Sequence, residues 1–177
     1  TNIVCDGELR QTLSSGDVNL SEDDYLSIVE AKTAELCACS CALGAYYAGG
    51  DEETVARVAS YGRNLGIAFQ IADDLLDLEG NETATGKSLG TDLAKGKLTY
   101  PVLLAWERAT VVDRARLEAM VQEWQPGAFA AVKELLARHA TLGPSRELIE
   151  RYLNLARQSL QALPESEGRA GLFDVTE

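Results

Sequence analysis

The sequence predicts an all-α fold, on three observations. Apolar residues recur at the helical period of about 3.6, no stretch alternates apolar and polar between turn residues as a strand would, and the interruptions fall at glycine and proline clusters such as Gly49-Gly50, Gly143-Pro144 and Pro164. With 177 residues, 46% of them hydrophobic, the chain is long enough for a sizeable core. No internal repeat or linker divides it, so residues 1–177 read as belonging to one helical domain.

Each element follows from local signals. A first helix includes Glu8, Leu9, Arg10 and Gln11 and stops in the polar run Ser14-Ser15-Gly16-Asp17. Ser21, with Asp24 three positions on, is a capping-box variant that opens a long helix toward Gly49-Gly50. Asp51, followed by Glu52 and Glu53, supplies a cap and first-turn acids for another helix ending near Gly80. Residues 80–98 hold four glycines and little apolar periodicity, which predicts a long functional loop. Thr99 as cap and Pro101 in the first turn restart a helix through Trp106. Three more helices are expected over residues 113–124, 128–140 and 144–163, separated by Pro126-Gly127 and Gly143-Pro144.

Composition excludes several functions. Twenty-eight acidic against 16 basic side chains leave a formal charge of −12, the wrong sign for binding nucleic acid through its phosphates. No apolar run approaches the roughly 20 residues a bilayer span requires, and the N-terminus has neither a basic nor an apolar leader region. A cytoplasmic location is therefore expected. Of the four cysteines, Cys37, Cys39 and Cys41 lie two apart, and on a helix Cys39 points away from the side that Cys37 and Cys41 share. They cannot meet at one metal, and small buried thiols in a reducing compartment are expected instead.

The chemistry concentrates in Phe69-Gln70-Ile71-Ala72-Asp73-Asp74-Leu75-Leu76-Asp77. Asp73 and Asp77 share a helix face and Asp74 lies about 100° round from Asp73. Like charges at this spacing cost an isolated helix a few tenths of a kcal/mol, so a cation is needed to turn the arrangement to advantage. The apolar neighbours Ile71, Ala72, Leu75 and Leu76 imply a mostly buried helix. Carboxylate oxygens are what Mg²⁺ accepts, typically alongside substrate phosphates, and the pattern therefore suggests a diphosphate. Lys32-Thr33 in the preceding long helix, and Lys87, Asp92 and Lys97 along the glycine-rich loop, can supply charge to such an anion, with glycines allowing close approach.

Taken in order, Lys32-Thr33-Ala34, Phe69-Gln70 with Asp73, Asp74 and Asp77, Gly86-Lys87, Gly90-Thr91-Asp92, and Gly96-Lys97 followed by Pro101 resemble the trans-isoprenyl diphosphate synthases, the polyprenyl synthetase family. The resemblance runs from about Gly7 to Pro164. It implies a helical bundle around a deep cavity, condensation of an allylic diphosphate with isopentenyl diphosphate, Mg²⁺ as cofactor, and a homodimer. In the roles it implies, Asp73 is the direct metal ligand, and Asp74 and Asp77 act directly or through waters. Lys32, Thr33, Gln70 and Lys87 touch the allylic diphosphate or the ion, with Asp73, Lys32 and Lys87 as the catalytic set. Lys97 closes over the diphosphate, Asp92 holds the lysines, and Phe69 lies near isopentenyl diphosphate.

Against the family pattern, no first aspartate-rich motif followed by paired arginines is present. Ser21-Glu22-Asp23-Asp24-Tyr25 is a decoy, and Asp23 and Asp24 read as helix-start charges. With Thr1 in place of an initiator Met, the expectation is the C-terminal half of a synthase, inactive alone and prone to self-association. A non-catalytic synthase subunit and a type I terpene cyclase are the competing functions. Intact Asp73, Asp74 and Asp77 weigh against the first, and the lysines against the second. The small-residue run from Ala34 to Ala45 serves either close helix packing or a roomy wall for a prenyl tail. His139, Trp106, Trp124, Tyr46, Tyr47 and Tyr61 read as packing, surface or interface residues.

Overall fold

The computed structural model describes residues 1–80, 89–125 and 127–177, and every regular element among them is helical. In chain order these are α1 (Asn2–Leu13), α2 (Glu22–Val29), a π-helical turn (Glu30–Ala34), α3 (Glu35–Tyr47), α4 (Glu52–Glu79), α5 (Thr91–Ala94), α6 (Tyr100–Arg108), α7 (Val111–Gln122), α8 (Ala128–Arg138), α9 (Leu142–Gln161) and α10 (Glu167–Asp174). No helix among the described residues is long and apolar enough to cross a membrane.

The helix starts obey their caps. Ser21 Oγ accepts the Asp24 amide at 3.1 Å, and the run from Glu22 to Tyr47 continues through the π turn without leaving helical backbone. Asp51 Oδ1 accepts the Thr54 amide at 2.8 Å, and hydrogen bonding from the Thr54 side chain and amide lowers the Asp51 carboxyl pKa. Four sequence expectations need correction. Thr99 takes the extended cap backbone, but its side chain makes no capping bond and its Oγ1 is buried without a partner. Thr110 caps α7 by accepting the Asp113 amide, so that helix begins earlier than residue 113. The glycine-rich stretch contains the one-turn helix α5. A last helix, α10, follows Pro164 and is capped by Ser166 Oγ on the Arg169 amide. Gly86, Lys87 and Pro126 lie outside the described residues.

Two compact units form. The first comprises Thr1–Glu8, Ser27–Gln70 and Leu148–Glu177. Its core includes Tyr61, Ala156 and Leu160, with Leu65, Leu163, Leu172 and Phe173 packed against them, and Tyr61 donates its hydroxyl to the Leu172 carbonyl at 2.8 Å. Here α3 and α4 come very close. A Cβ on Gly66 would lie 2.7 Å from Ala34 Cα, and one on Gly62 would lie 2.7 Å from Cys41 Sγ. Small side chains at Ala34, Cys37 and Cys41 thus serve close helix packing on this face, and the prenyl-wall reading does not apply to it. All four cysteines are free, but Cys5 and Cys39 are exposed and Cys37 and Cys41 only half-buried, so the expectation of buried thiols fails. Of the tyrosines, Tyr61 is core, while Tyr46 and Tyr47 stand exposed.

The second unit comprises Leu9–Leu26 and Ile71–Glu147. Helices α6 and α7 each pack on α8, burying Leu117, Val121, Val132, Leu135 and Leu136. Each fully buried side chain of this kind contributes about 1.5–3 kcal/mol. The buried Asp113 on α7 accepts from Arg138 at 3.0 Å and lies 3.1 Å from His139 Nε2 at the end of α8. His139 therefore has an aspartate beside it that lies 26 residues away in sequence. Trp106 stacks under the Arg114 guanidinium and Trp124 meets Phe129 edge-on, so both are packing residues.

Candidate functional site

Within the second unit, the C-terminal end of α4 presents its aspartates to three different environments. Asp74 is wholly buried. Its Oδ1 receives Lys97 Nζ at 2.6 Å and its Oδ2 receives the Tyr25 hydroxyl at 2.7 Å. Lys97 Nζ also donates to Asp92 Oδ2 at 3.0 Å, giving one cation between two carboxylates. Burial works against the charge on Lys97, but the Asp74 and Asp92 carboxylates outweigh it and raise the ammonium pKa. Burial, and after it the Asp74 carboxylate, pushes the Tyr25 hydroxyl well above its ordinary value, which keeps it a neutral donor. Tyr25 in turn stacks on Tyr100 with ring centroids 5.9 Å apart, and Tyr100 donates to Glu22 at 3.3 Å.

Asp77 acts as a cap borrowed from another helix. Its Oδ1 accepts the Thr91 amide at 3.1 Å and the Thr91 hydroxyl at 2.8 Å, and its Oδ2 accepts the Asp92 amide at 3.1 Å. These are amides that the first turn of α5 cannot satisfy internally. Just before it, Gly90 at φ +71° presents its bare Cα to the Phe129 ring, and a Cβ there would lie 2.7 Å from that ring. The segment is tied again beyond α5, where Ser15 Oγ donates to the Lys95 carbonyl at 3.0 Å and the Gly16 amide to the Gly96 carbonyl at 2.8 Å. Asp73 is half-buried.

Within the first unit, Lys32 and Thr33 sit in the π turn, a local widening of the helix that is frequent at functional sites. Thr33 Oγ1 donates to Gln70 Oε1 at 2.8 Å, and Lys32 Nζ pairs with Glu8 at 3.1 Å. Arg63 brackets the turn, pairing with Glu30 at 2.5 Å and Glu35 at 2.9 Å. Phe69 is 64% exposed. The structure thus joins Asp74, Asp92 and Lys97 in one cluster and Thr33 and Gln70 in another, while Lys87 lies outside the described residues.

The sequence pattern of the polyprenyl synthetase family matches residues 1–138. The chain belongs to this family. It is 34% identical to the octaprenyl diphosphate synthase of Haemophilus influenzae over 99% of this chain and 54% of that protein. It is 38% identical to heptaprenyl diphosphate synthase component 2 of Geobacillus stearothermophilus over 97% of this chain and 53% of that protein. Its structure matches the polyprenyl synthase of Caulobacter crescentus, crystallised with calcium and isoprenyl diphosphate, with a TM-score of 0.94 and 35% identity over 99% of this chain and 54% of that one. The chain spans about half the length of the curated relatives it matches.

The sequence of this polyprenyl synthetase family member points to the aspartates, but Tyr25 carried no assignment there beyond closing the Ser21–Tyr25 decoy stretch. A signal was present, since Tyr25 heads the stripe continued by Ile28 and Val29, and a tyrosine in an apolar stripe usually finds a partner for its hydroxyl. Among the described residues, no three His, Cys, Asp or Glu side chains gather as a ready chelate. Asp73 and Asp77 offer oxygen donors of the kind a hard divalent cation accepts.

Proposed function

We propose that this chain carries the second aspartate-rich motif and the lysine strap of a trans-prenyl diphosphate synthase, which condenses an allylic diphosphate with isopentenyl diphosphate into a longer polyprenyl diphosphate. The observation that carries the reading is the Lys97 ammonium held between Asp74 and Asp92, with Asp77 capping the same strap, at the end of the Asp73-Asp74-Asp77 helix. Asp73 is the carboxylate assigned to hold Mg²⁺, with Asp77 contributing through its outer lone pairs or a water. When bound, the ion would neutralise negative charge on the diphosphate leaving group. Lys32 and Lys87 are assigned to the diphosphate oxygens, where fixed positive charge favours the leaving group. Thr33 and Gln70, already hydrogen-bonded to each other, are assigned to the allylic diphosphate or the ion. Phe69 offers an exposed ring to the isopentenyl chain.

The lysines favour a synthase over a type I terpene cyclase. The relative named as component 2 of a heptaprenyl diphosphate synthase supports a chain that works with a partner subunit, and a homodimer is the partnership proposed here. The sequence holds one aspartate-rich motif, so the 177-residue chain alone is expected to bind an allylic diphosphate with Mg²⁺ but not to transfer radiolabelled isopentenyl groups. Calorimetry with geranyl diphosphate, with and without Mg²⁺, tests the reading. Metal-dependent binding supports it, and no binding in either condition overturns it.

A further inference from the structure

We propose that Tyr25 is a positioning residue for the aspartate-rich motif: its hydroxyl, together with Lys97, seals Asp74 as an internal counter-ion and so aims Asp73 toward the metal-bound diphosphate. The inference rests on the synthase reading and goes beyond it in assigning a residue outside every motif. Asp74 is 0% exposed, so an ion arriving from solvent cannot reach it. Each of its oxygens receives a donor, Tyr25 on Oδ2 at 2.7 Å and Lys97 on Oδ1 at 2.6 Å. A carboxylate gripped at both oxygens cannot turn about its Cβ–Cγ bond, and the two contacts pin this turn of α4 to Tyr25 and Lys97.

Tyr25 is itself fixed. It is 2% exposed and stacked on Tyr100 at 28° between ring planes. Tyr25 donates from 49 residues upstream, and Lys97 donates from 23 residues downstream. The motif is thus clamped from both chain directions, and the downstream clamp is the strap that Asp77 caps. Removing the Tyr25 hydroxyl takes away one of these two grips and leaves Lys97 on Oδ1, with the ring stack intact.

The test is a double-mutant cycle on the 177-residue chain, reading Mg²⁺-dependent binding of inorganic diphosphate by calorimetry for the wild type, Tyr25→Phe, Asp74→Asn and the pair. Tyr25→Phe is expected to weaken binding about tenfold, a change of about 1.4 kcal/mol, and to add nothing in the Asp74→Asn background. Near-ultraviolet circular dichroism checks that each variant is folded. Should Tyr25→Phe fail to fold, Asp74→Asn reads the same contact from the acceptor's side: weakened binding supports the role and wild-type binding overturns it. Wild-type affinity in Tyr25→Phe, or additive losses in the pair, overturns the positioning role and leaves the synthase reading standing. A wild-type chain that binds no diphosphate overturns both.

Discussion

Lys97 Nζ lies 2.6 Å from Asp74 Oδ1, with Lys97 13% exposed and Asp74 fully enclosed. This pair separates three aspartates that look alike in sequence. Asp73 is half-buried, Asp74 is spent on a lysine and a tyrosine inside the protein, and Asp77 caps a neighbouring turn.

Lys97→Met strips Asp74 and Asp92 of their shared cation. Removing the cationic partner of a buried carboxylate costs about 3–5 kcal/mol, so the urea midpoint should fall sharply. Adding Asp74→Asn to Lys97→Met should recover most of the loss, because the orphaned charge is then gone. Equal midpoints for wild type and Lys97→Met would contradict the buried pair.

Asp77→Ala removes the cap from α5. A lost cap costs about 0.5–2 kcal/mol, and here the loss is local to the strap. Hydrogen exchange at the Thr91 and Asp92 amides should speed up about 3- to 30-fold relative to amides of α8, while global stability changes less.

Asp113 links α7 to α8 and gives stability a pH dependence. Its burial raises the carboxyl pKa, but hydrogen bonds from His139 and Arg138 and the Arg138 charge outweigh that and leave it lowered. A depressed folded-state pKa stabilises above the unfolded value of about 3.9 and loses that contribution as pH falls through the folded value. Asp113→Asn should therefore lower Tm at pH 7 and match wild type once both are scanned well below pH 3.

Gly66→Ala would place a methyl group 2.7 Å from the Ala34 backbone. Overpacking of this kind costs about 1–3 kcal/mol. Gly44→Ala on the same helix pair meets nothing within 4 Å and should stabilise by about 0.4–1 kcal/mol. Thermal unfolding that moves both variants in the same direction would refute the close contact of α4 with the π turn at Ala34.

The outer face of α3 exposes Leu36, Leu43, Tyr46 and Tyr47 at 50% or more. An apolar row of this kind favours association. Sedimentation equilibrium of the chain should show self-association, and Leu43→Glu with Tyr47→Glu should shift it to monomer. A wild-type chain that sediments as a monomer at all loading concentrations would count against the expected dimer.

Much of the architecture was legible in advance. The capping signals at Ser21 and Asp51 mark the starts of the long helices, and glycine pairs and prolines mark their ends, because a helix is built from bonds four residues apart and its signals are equally local. The aspartates, Lys32-Thr33 and the strap were legible for the same reason, as short patterns of charged and glycine residues. Helix α10 was missed because Pro164 reads as a terminus when nothing shows that Leu172 and Phe173 have a core to join.

What spacing alone could not assign was the work of each carboxylate. Asp73, Asp74 and Asp77 carry the same charge on the same helix, and the fates of Asp74 and Asp77 depend on which distant groups reach them: the Tyr25 and Lys97 side chains at Asp74, and the Thr91 and Asp92 backbone amides at Asp77. Likewise, the pairing of Asp113 with His139 spans 26 residues and leaves no periodic trace. The local code places charges along a helix. Burial by residues far away in the chain settles which of them is held as a counter-ion and which caps a turn.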